Sequence, residues 1–218
     1  MAIYIKIIEN GLLRKYIPGY NFREITLPRN IHSVDKYCFS PWSPKRIPLN
    51  DNDELEQWHK NFNVTQIVIP KNVRNISKLA FADMLNLKRF IVEDGCLAAR
   101  TYQDVLLSKD GKQVICCPPA KRGELVLPDG VETVLENSFE YTKLSKVFLP
   151  NSVKVIEDDA FTNSELQNIY IPGTVEHIGE RVFNECENLT ILAPRGSIGL
   201  EYAKKHNIPF EDVIYISL

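Results

Sequence analysis

The sequence lacks an excess of either charge: 26 Lys and Arg residues are balanced by 28 Asp and Glu residues among 218. A protein that binds nucleic acid or an anionic membrane through its overall charge needs a clustered basic surplus, so this composition predicts neither partner. Cysteine is also scarce, and five scattered cysteines exclude a disulfide scaffold. No apolar run approaches the roughly 20 residues that a membrane-spanning helix requires.

The amino terminus lacks the pattern of a secretory signal, which would show a basic start, an apolar segment and small residues at a cleavage site. Residues 1–9 instead mix apolar and polar side chains, and Asn10-Gly11 follows as a hairpin turn signal. This pattern predicts a strand of a folded domain and favours a cytoplasmic location. The alternative is a cell-surface or secreted protein whose leader has been removed.

A repeat of 22 residues organises the rest of the sequence. Each unit has a short apolar-x-apolar segment before a proline, apolar residues three and six positions after it, and a Phe eleven positions after it. In the regular part these positions are Pro128, Pro150, Pro172 and Pro194, then Val131, Val153 and Val175, then Val134, Ile156 and Ile178, and finally Phe139, Phe161 and Phe183. The same frame recurs from Pro28 and from Pro70. Self-similarity at a fixed period is typical of a solenoid.

The physical role of each position predicts the fold class. The segment before each proline has the period-2 pattern of a strand, and proline ends that strand because it has no N–H for a ladder. The following Val-x-x-Ile suits an extended or 3₁₀-like turn, and the Phe fills the interior. Since one unit cannot bury its apolar residues alone, stacked units form a parallel sheet over one long core. The predicted fold is a mainly-β repeat solenoid.

The units resemble BspA-type leucine-rich repeats. Segment 169–189 shows the pattern as Ile-Tyr-Ile-Pro-Gly-Thr-Val-Glu-His-Ile-Gly-Glu-Arg-Val-Phe-Asn-Glu-Cys-Glu-Asn-Leu, and segment 194–210 is similar to the closing segment of that family. The resemblance extends from about residue 22 to 210. It implies a right-handed leucine-rich-repeat superhelix with a parallel concave sheet, short turns or 3₁₀ segments on the convex side, and β-hairpin insertions. Proteins of this family are often bacterial surface adhesins.

We expect a single leucine-rich-repeat domain over residues 1–218. Its parts are an amino-terminal hairpin cap (1–21), repeats (22–92) with a degenerate unit (40–62), a hairpin insertion (93–123), regular repeats (124–194) and a carboxyl-terminal cap (195–218). Asp110-Gly111 predicts the turn of the insertion hairpin. A phosphate-binding loop is the alternative there, but the segment lacks the required Gly spacing. A shift of 100 residues aligns Asn10-Gly11 with Asp110-Gly111, so each half opens with a hairpin.

The degenerate unit contains a second departure from the repeat. Asp51 to Asn61 has the pattern of a short helix that Asp51 or Asn52 caps. The acidic run at its start lacks the spacing and the central Gly of a calcium loop. Trp42 and Trp58 flank the helix, and they either pack it onto the solenoid or form an exposed contact surface.

Residues for catalysis or metal binding are missing from the sequence. The four histidines, at positions 32, 59, 177 and 206, have no metal-ligand partners at the required spacing. Cys38 and Cys186 occupy positions where they fill the core, and no nucleophile elbow is present. We therefore predict a protein without enzymatic activity, metal or cofactor, in which His32 and His177 are exposed.

Binding would lie on the outward face of the concave sheet, where side chains two and four positions before each proline point away from the core. The first set is Thr26, Val68, Val126, Phe148, Tyr170 and Leu192, and the second is Glu24, Gln66, Glu124, Lys146, Asn168 and Thr190. We take Val126, Phe148, Tyr170 and Leu192, with Lys146 and Asn168, as candidate protein-binding residues. Strand propensity is the alternative explanation of the apolar set.

These observations lead to a hypothesis of a non-enzymatic, bacterial protein-binding module with an unknown protein partner. One alternative is a surface adhesin that contacts host or other cells. Another is a structural protein that self-associates into a homo-oligomer through the apolar set or the insertion hairpin.

Overall fold

The computed structural model describes residues 5–17, 22–40 and 63–213. Within these ranges the chain forms 18 strands and one helix. The strands are β1 (Ile5–Glu9), β2 (Leu12–Ile17), β3 (Glu24–Thr26), β4 (Ser33–Val34), β5 (Gln66–Ile69), β6 (Asn75–Ile76), β7 (Arg89–Val92), β8 (Ala99–Tyr102), β9 (Val105–Ser108), β10 (Gln113–Cys116), β11 (Arg122–Val126), β12 (Thr133–Val134), β13 (Lys143–Phe148), β14 (Val155–Ile156), β15 (Asn168–Tyr170), β16 (His177–Ile178), β17 (Thr190–Ala193) and β18 (Phe210–Asp212). The helix is α1 (Ile198–Lys205).

The strands that precede the prolines pair in parallel along the stack. One sheet has the order β3-β5-β7 and the other has the order β11-β13-β15-β17-β18. Side chains one and three positions before the proline are buried, as Leu125 and Leu127 show before Pro128. Together the sheets form a β-solenoid of about eight turns, so the predicted repeat solenoid is confirmed.

On the opposite side of each coil, short turns lead into a Val-x-x-Ile segment that takes the extended one of the two forms expected from the sequence. Each Val-x-x-Ile ends in a two-residue strand, and these strands pair in parallel between coils. β12, β14 and β16 do so within a six-stranded sheet that also contains β10, β9 and β8. Val134 lies opposite Ile156 in that ladder. No 3₁₀ helix occurs in the described residues. The physical reason is that every buried backbone group needs a partner, and extended strands bond to the coils on both sides while an isolated turn bonds mainly to itself.

Residues with left-handed backbone conformation flank the Phe of the repeat: Phe81, Phe139, Phe161 and Phe183 have one on each side, and Phe39 has one before it. The flanking residues are Tyr37, Leu79, Asn137, Asp159 and Arg181 two positions before a Phe, and Asp83, Tyr141, Asn163 and Glu185 two positions after it, with φ between 50° and 66°. Backbone hydrogen bonds join the turns of successive coils. In one of them, the N–H of Phe161 donates to the carbonyl of Val182 at 2.9 Å. The turn therefore places each aromatic ring directly above the next one.

Each half of the solenoid begins with an antiparallel hairpin. In the first, β1 pairs with β2 across a turn in which Asn10 and Gly11 both have positive φ. β2 then pairs in parallel with β4, with Leu13 opposite Val34. In the second half Val114 of β10 lies opposite Val134 of β12, in the same role.

The insertion hairpin separates two hydrophobic cores and belongs to both. β8, β9 and β10 form an antiparallel meander, of which β8 was missed by the sequence pattern. Val105, Leu106 and Leu107 of β9 are all fully buried. Since alternate side chains of a strand point to opposite faces, Leu106 packs in the first core, while Val105 and Leu107 pack in the second. Strand β9 therefore packs against the hydrophobic cores of both halves.

The carboxyl-terminal part closes the second core. The Ser197 side chain accepts the N–H of Leu200 at 3.5 Å and begins helix α1. Tyr202 of this helix covers the last Phe of the stack, and β18 adds a final parallel strand to β17. The predicted degenerate unit (40–62), with its helix and with Trp42 and Trp58, lies outside the described residues except for Ser40.

Candidate functional site

The candidate residues lie in register on four neighbouring strands. Val126 of β11 is opposite Phe148 of β13, Phe148 is opposite Tyr170 of β15, and Tyr170 is opposite Leu192 of β17. Neighbouring strands are about 4.8 Å apart, so the four side chains form a continuous row on one face of the sheet. We call this row the apolar column.

Exposure differs along the apolar column. Val126 is 37% exposed, and Phe148 and Leu192 are partly exposed. Tyr170, which the sequence pattern places on the outward surface, is only 6% exposed. Tyr170 has a bulky neighbour in register on each side, whereas Val126 lies on the edge strand of its sheet. The column therefore presents Val126, Phe148 and Leu192 to solvent, with Tyr170 packed between them.

A polar row runs beside the apolar column, at the positions four before each proline. Lys146 Nζ lies 3.3 Å from Glu124 Oε1 and 5.8 Å from the centre of the Phe148 ring. The ion pair and the cation–π contact hold the lysine over the aromatic ring. Asn168 and Thr190 continue the row and are half-buried. The arrangement is an apolar strip with an uncharged or neutralised border, which suits contact with another folded surface.

The structure adds one residue that sequence reasoning missed. Ile91 of β7 lies opposite Val68 of β5, which places it in the column position of the first half, and it is 40% exposed. The missed signal was Phe90-x-Val92, which repeats the strand pattern although Glu93 stands where other units have proline.

A second concave feature lies between the two halves, away from the column. The turn 79–83 faces the turn 136–141 across a small cleft, over a floor that includes Ile115 and Cys116. Burial, followed by the charges of Asp83 and Asp159, raises the pKa of Glu140 to about 7. Burial also raises the pKa of the Cys116 thiol to about 12, which leaves it protonated and unreactive at neutral pH.

A buried lysine lies near this cleft. Lys15 of β2 is 4% exposed, and its Nζ donates a hydrogen bond to the carbonyl of Ser40. The Ser40 hydroxyl in turn donates to the carboxylate of Asp83. Desolvation lowers the pKa of Lys15, while the nearby Asp83 charge opposes this shift. The chain of contacts ties the first hairpin to the turn that carries Phe81, so we assign these polar groups a structural role.

The side chains of His32, His177 and Cys38 lie where the sequence predicts them. His32 and His177 are exposed. Cys38 is buried in the first core, where desolvation raises the pKa of its thiol to about 12. Among residues 5–17, 22–40 and 63–213, no group of three or more His, Cys, Asp or Glu side chains is placed to hold a metal ion. In the same ranges no helix has both the length and the hydropathy needed to cross a membrane.

The parallel strands, the repeated Phe turns and the capping helix define a leucine-rich-repeat solenoid. The model of the BspA type leucine rich repeat region matches six copies in residues 15–103 and 120–203. The chain belongs to the BspA-type leucine-rich repeat family. No curated protein matches it.

Solved bacterial structures share the fold. A leucine-rich repeat protein from Eubacterium ventriosum is 24% identical with a TM-score of 0.63, over 79% of this chain and 42% of that one. A leucine rich cell surface protein from Faecalibacterium prausnitzii is 19% identical with a TM-score of 0.53, over 90% and 61%. The pneumococcal vaccine antigen PcpA is 22% identical with a TM-score of 0.51, over 78% and 50%. This chain matches less than two thirds of the length of each relative.

Proposed function

We propose that this chain is a protein-binding module that docks another protein along the apolar column of its concave sheet and performs no chemistry of its own. The observation that carries this proposal is the register of Val126, Phe148, Tyr170 and Leu192 on four consecutive strands. A row of large apolar side chains on the open face of a sheet is a candidate protein contact. Leucine-rich-repeat solenoids use such extended faces for binding.

Membership of the repeat family supports a role in contact rather than in catalysis. Repeat units place the same residue types at equal spacing, which builds a broad surface rather than a closed pocket. The column also ends at an acidic position, since Glu211 of β18 lies opposite Leu192. The docked surface is therefore apolar in its centre and charged at its carboxyl-terminal end.

A pull-down from native lysate tests the proposal with the variant Val126→Asp/Phe148→Asp as bait. Both substitutions place a charge on the exposed part of the column and avoid the packed Tyr170. The matched control is Leu97→Asp, because Leu97 is 57% exposed and lies outside the concave strands. We expect the wild type and the control to recover the same partner, and the column variant to lose it. Equal recovery by all three proteins would refute docking on the column.

Self-association is the second candidate function, because the same column could meet a second copy of the chain. Sedimentation over a range of protein concentrations separates the two. A monomer at every concentration excludes self-association, while a dimer that the column variant abolishes establishes it.

The compartment is a separate question. We propose two alternatives for a protein-binding module of this family, a cytoplasmic protein or a surface adhesin. Fractionation of native cells decides between them, since recovery of the protein in the surface fraction contradicts the cytoplasmic location.

A further inference from the structure

Five basic side chains gather where the concave strands of the two halves begin. They are Lys88, Arg89, Lys121, Arg122 and Lys143, and we call them the basic edge. Lys88 and Arg89 stand at the start of β7, Lys121 and Arg122 at the start of β11, and Lys143 at the start of β13. The near-neutral net charge of the whole chain does not reveal this local excess of positive charge.

Backbone contacts join these three strand starts into one surface. The N–H of Ala120 donates to the carbonyl of Leu87 at 2.9 Å, which brings the residues before β11 beside the start of β7. The N–H of Lys143 donates to the carbonyl of Pro119 at 3.1 Å. Arg122 and Lys143 lie directly opposite each other in the parallel ladder. The basic edge therefore continues across the junction of the two halves.

Carboxylates neutralise the basic edge only in part. Asp104 lies 3.6 Å from Lys121, and Glu165 is shared between Arg122 at 4.0 Å and Lys143 at 3.9 Å. In the described part of the chain neither Lys88 nor Arg89 forms an ion pair, and Arg89 donates to the amide oxygen of Gln66 instead. Like charges directly opposite each other in a sheet are destabilising. A row with more cations than anions is thus complementary to an acidic ligand.

The basic edge and the apolar column share strands. Along β11, Arg122 and Val126 are four residues apart, which is roughly 13 Å of strand. In the other sheet, on β7, Arg89 is two residues from Ile91, the exposed residue in the matching position of the first half. A polyanion such as a nucleic acid or a sulfated glycan would use the cations and leave the apolar side chains uncovered. A polypeptide with both acidic and apolar side chains would cover both.

We propose that the basic edge binds the carboxylates of an acidic segment of the partner protein, whose apolar side chains lie on the adjoining column. This inference rests on the proposed function and adds the chemistry of the partner. The charge attraction speeds and orients encounter, and the apolar contact holds the complex.

Short fluorescein-labelled peptides of equal length test the inference by fluorescence anisotropy. Three sets carry the same alternating Leu, Phe and Tyr residues, separated by Asp and Glu, by Ser and Gln, or by Lys and Arg. Heparin and a single-stranded oligonucleotide are the polyanion probes. The test variant is Lys88→Glu/Arg122→Glu, and the matched control is Lys36→Glu/Lys205→Glu, which makes the same charge change at exposed lysines elsewhere.

We expect the acidic peptides to bind about ten-fold more tightly than the neutral ones, a difference of about 1.4 kcal/mol. That gain should disappear in the test variant, persist in the control, and shrink between about 50 mM and about 300 mM NaCl. Equal binding of acidic and neutral peptides, or no binding of either, would overturn the inference. Equal binding that still depends on Phe148 would leave the proposed function standing. Heparin or oligonucleotide binding that the test variant abolishes, without peptide binding, would assign the edge to a polyanion instead.

Discussion

The rings of Phe139 and Phe161 stack with their centroids 4.6 Å apart and their planes 14° apart. The row continues through Phe183 to Tyr202 of the capping helix, at 5.4 and 5.8 Å. A similar row in the first core runs from Tyr16 through Phe39 and Phe81 to Phe90. Because each ring contacts the next coil, the aromatic rows transmit the packing of one unit to its neighbours.

Replacement of the central ring tests this relationship. Phe161 is fully buried between two other rings, so Phe161→Ala removes both stacking contacts and leaves a cavity. We expect a loss of about 3–5 kcal/mol in the free energy of unfolding, measured by urea denaturation. Phe161→Leu, the control that fills more of the space, should lose clearly less. A loss below about 1 kcal/mol for the alanine variant would show that the row contributes little.

The left-handed positions beside each Phe predict a stabilising substitution. Glu185 is exposed and has a φ of 57°, which an Asn side chain tolerates better than Glu does. Glu185→Asn should therefore raise the free energy of unfolding by about 0.5–1 kcal/mol. Glu187→Asn is the control, since Glu187 is exposed and is not among the residues with positive φ. A gain of equal size in both variants would refute the backbone explanation.

The cleft between the halves predicts a pH dependence. The pKa of Glu140 is raised from 4.5 to about 7, so between these values the unfolded chain releases the proton first and ionisation opposes folding. Its contribution to stability is thus lost as the pH rises through this window. Glu140→Gln should match the wild type near pH 4 and exceed it at pH 8, by thermal unfolding at both values. The control Glu187→Gln should not gain stability over the wild type between these two pH values. If Glu140→Gln is no more stable than the wild type at pH 8, ionisation of Glu140 does not oppose folding.

Because β9 packs against both hydrophobic cores, we expect a substitution in this strand to affect the stability of the first half as well as the second. Leu106 is fully buried in the first core although its strand also faces the second. We expect Leu106→Ala to cost about 2–5 kcal/mol and to increase amide hydrogen exchange in β5 and β7. Leu97→Ala, at an exposed position in the same insertion, should change stability by less than about 0.5 kcal/mol. Unchanged exchange in both strands after Leu106→Ala would show that β9 does not support the first core.

Much of this architecture follows from the spacing of a few residues. Pro150, Val153, Ile156 and Phe161 mark the strand end, the return segment and the core ring, and repetition at 22 residues aligns them between coils. That alignment is enough to predict the strand register of the apolar column. The alignment depends only on which residue types occur at which spacing, and these can be read directly from the sequence.

Other features depend on neighbours that come from distant parts of the chain. The low exposure of Tyr170 results from the side chains of the two adjoining strands, and the dual packing of β9 results from two cores that meet only after folding. The basic edge is likewise invisible in the net charge, because Lys88 and Arg122 are 34 residues apart in the sequence. Spacing within one unit carries no information on such contacts.

The most direct test of the central claim is the affinity of the purified partner for three forms of the protein, measured by isothermal titration calorimetry. These are the wild type, Val126→Asp/Phe148→Asp and the control Leu97→Asp. We expect the column variant to bind at least about ten-fold more weakly than the wild type, which is about 1.4 kcal/mol, and the control to bind as well as the wild type. Equal affinity of the column variant and the wild type would contradict docking on the apolar column.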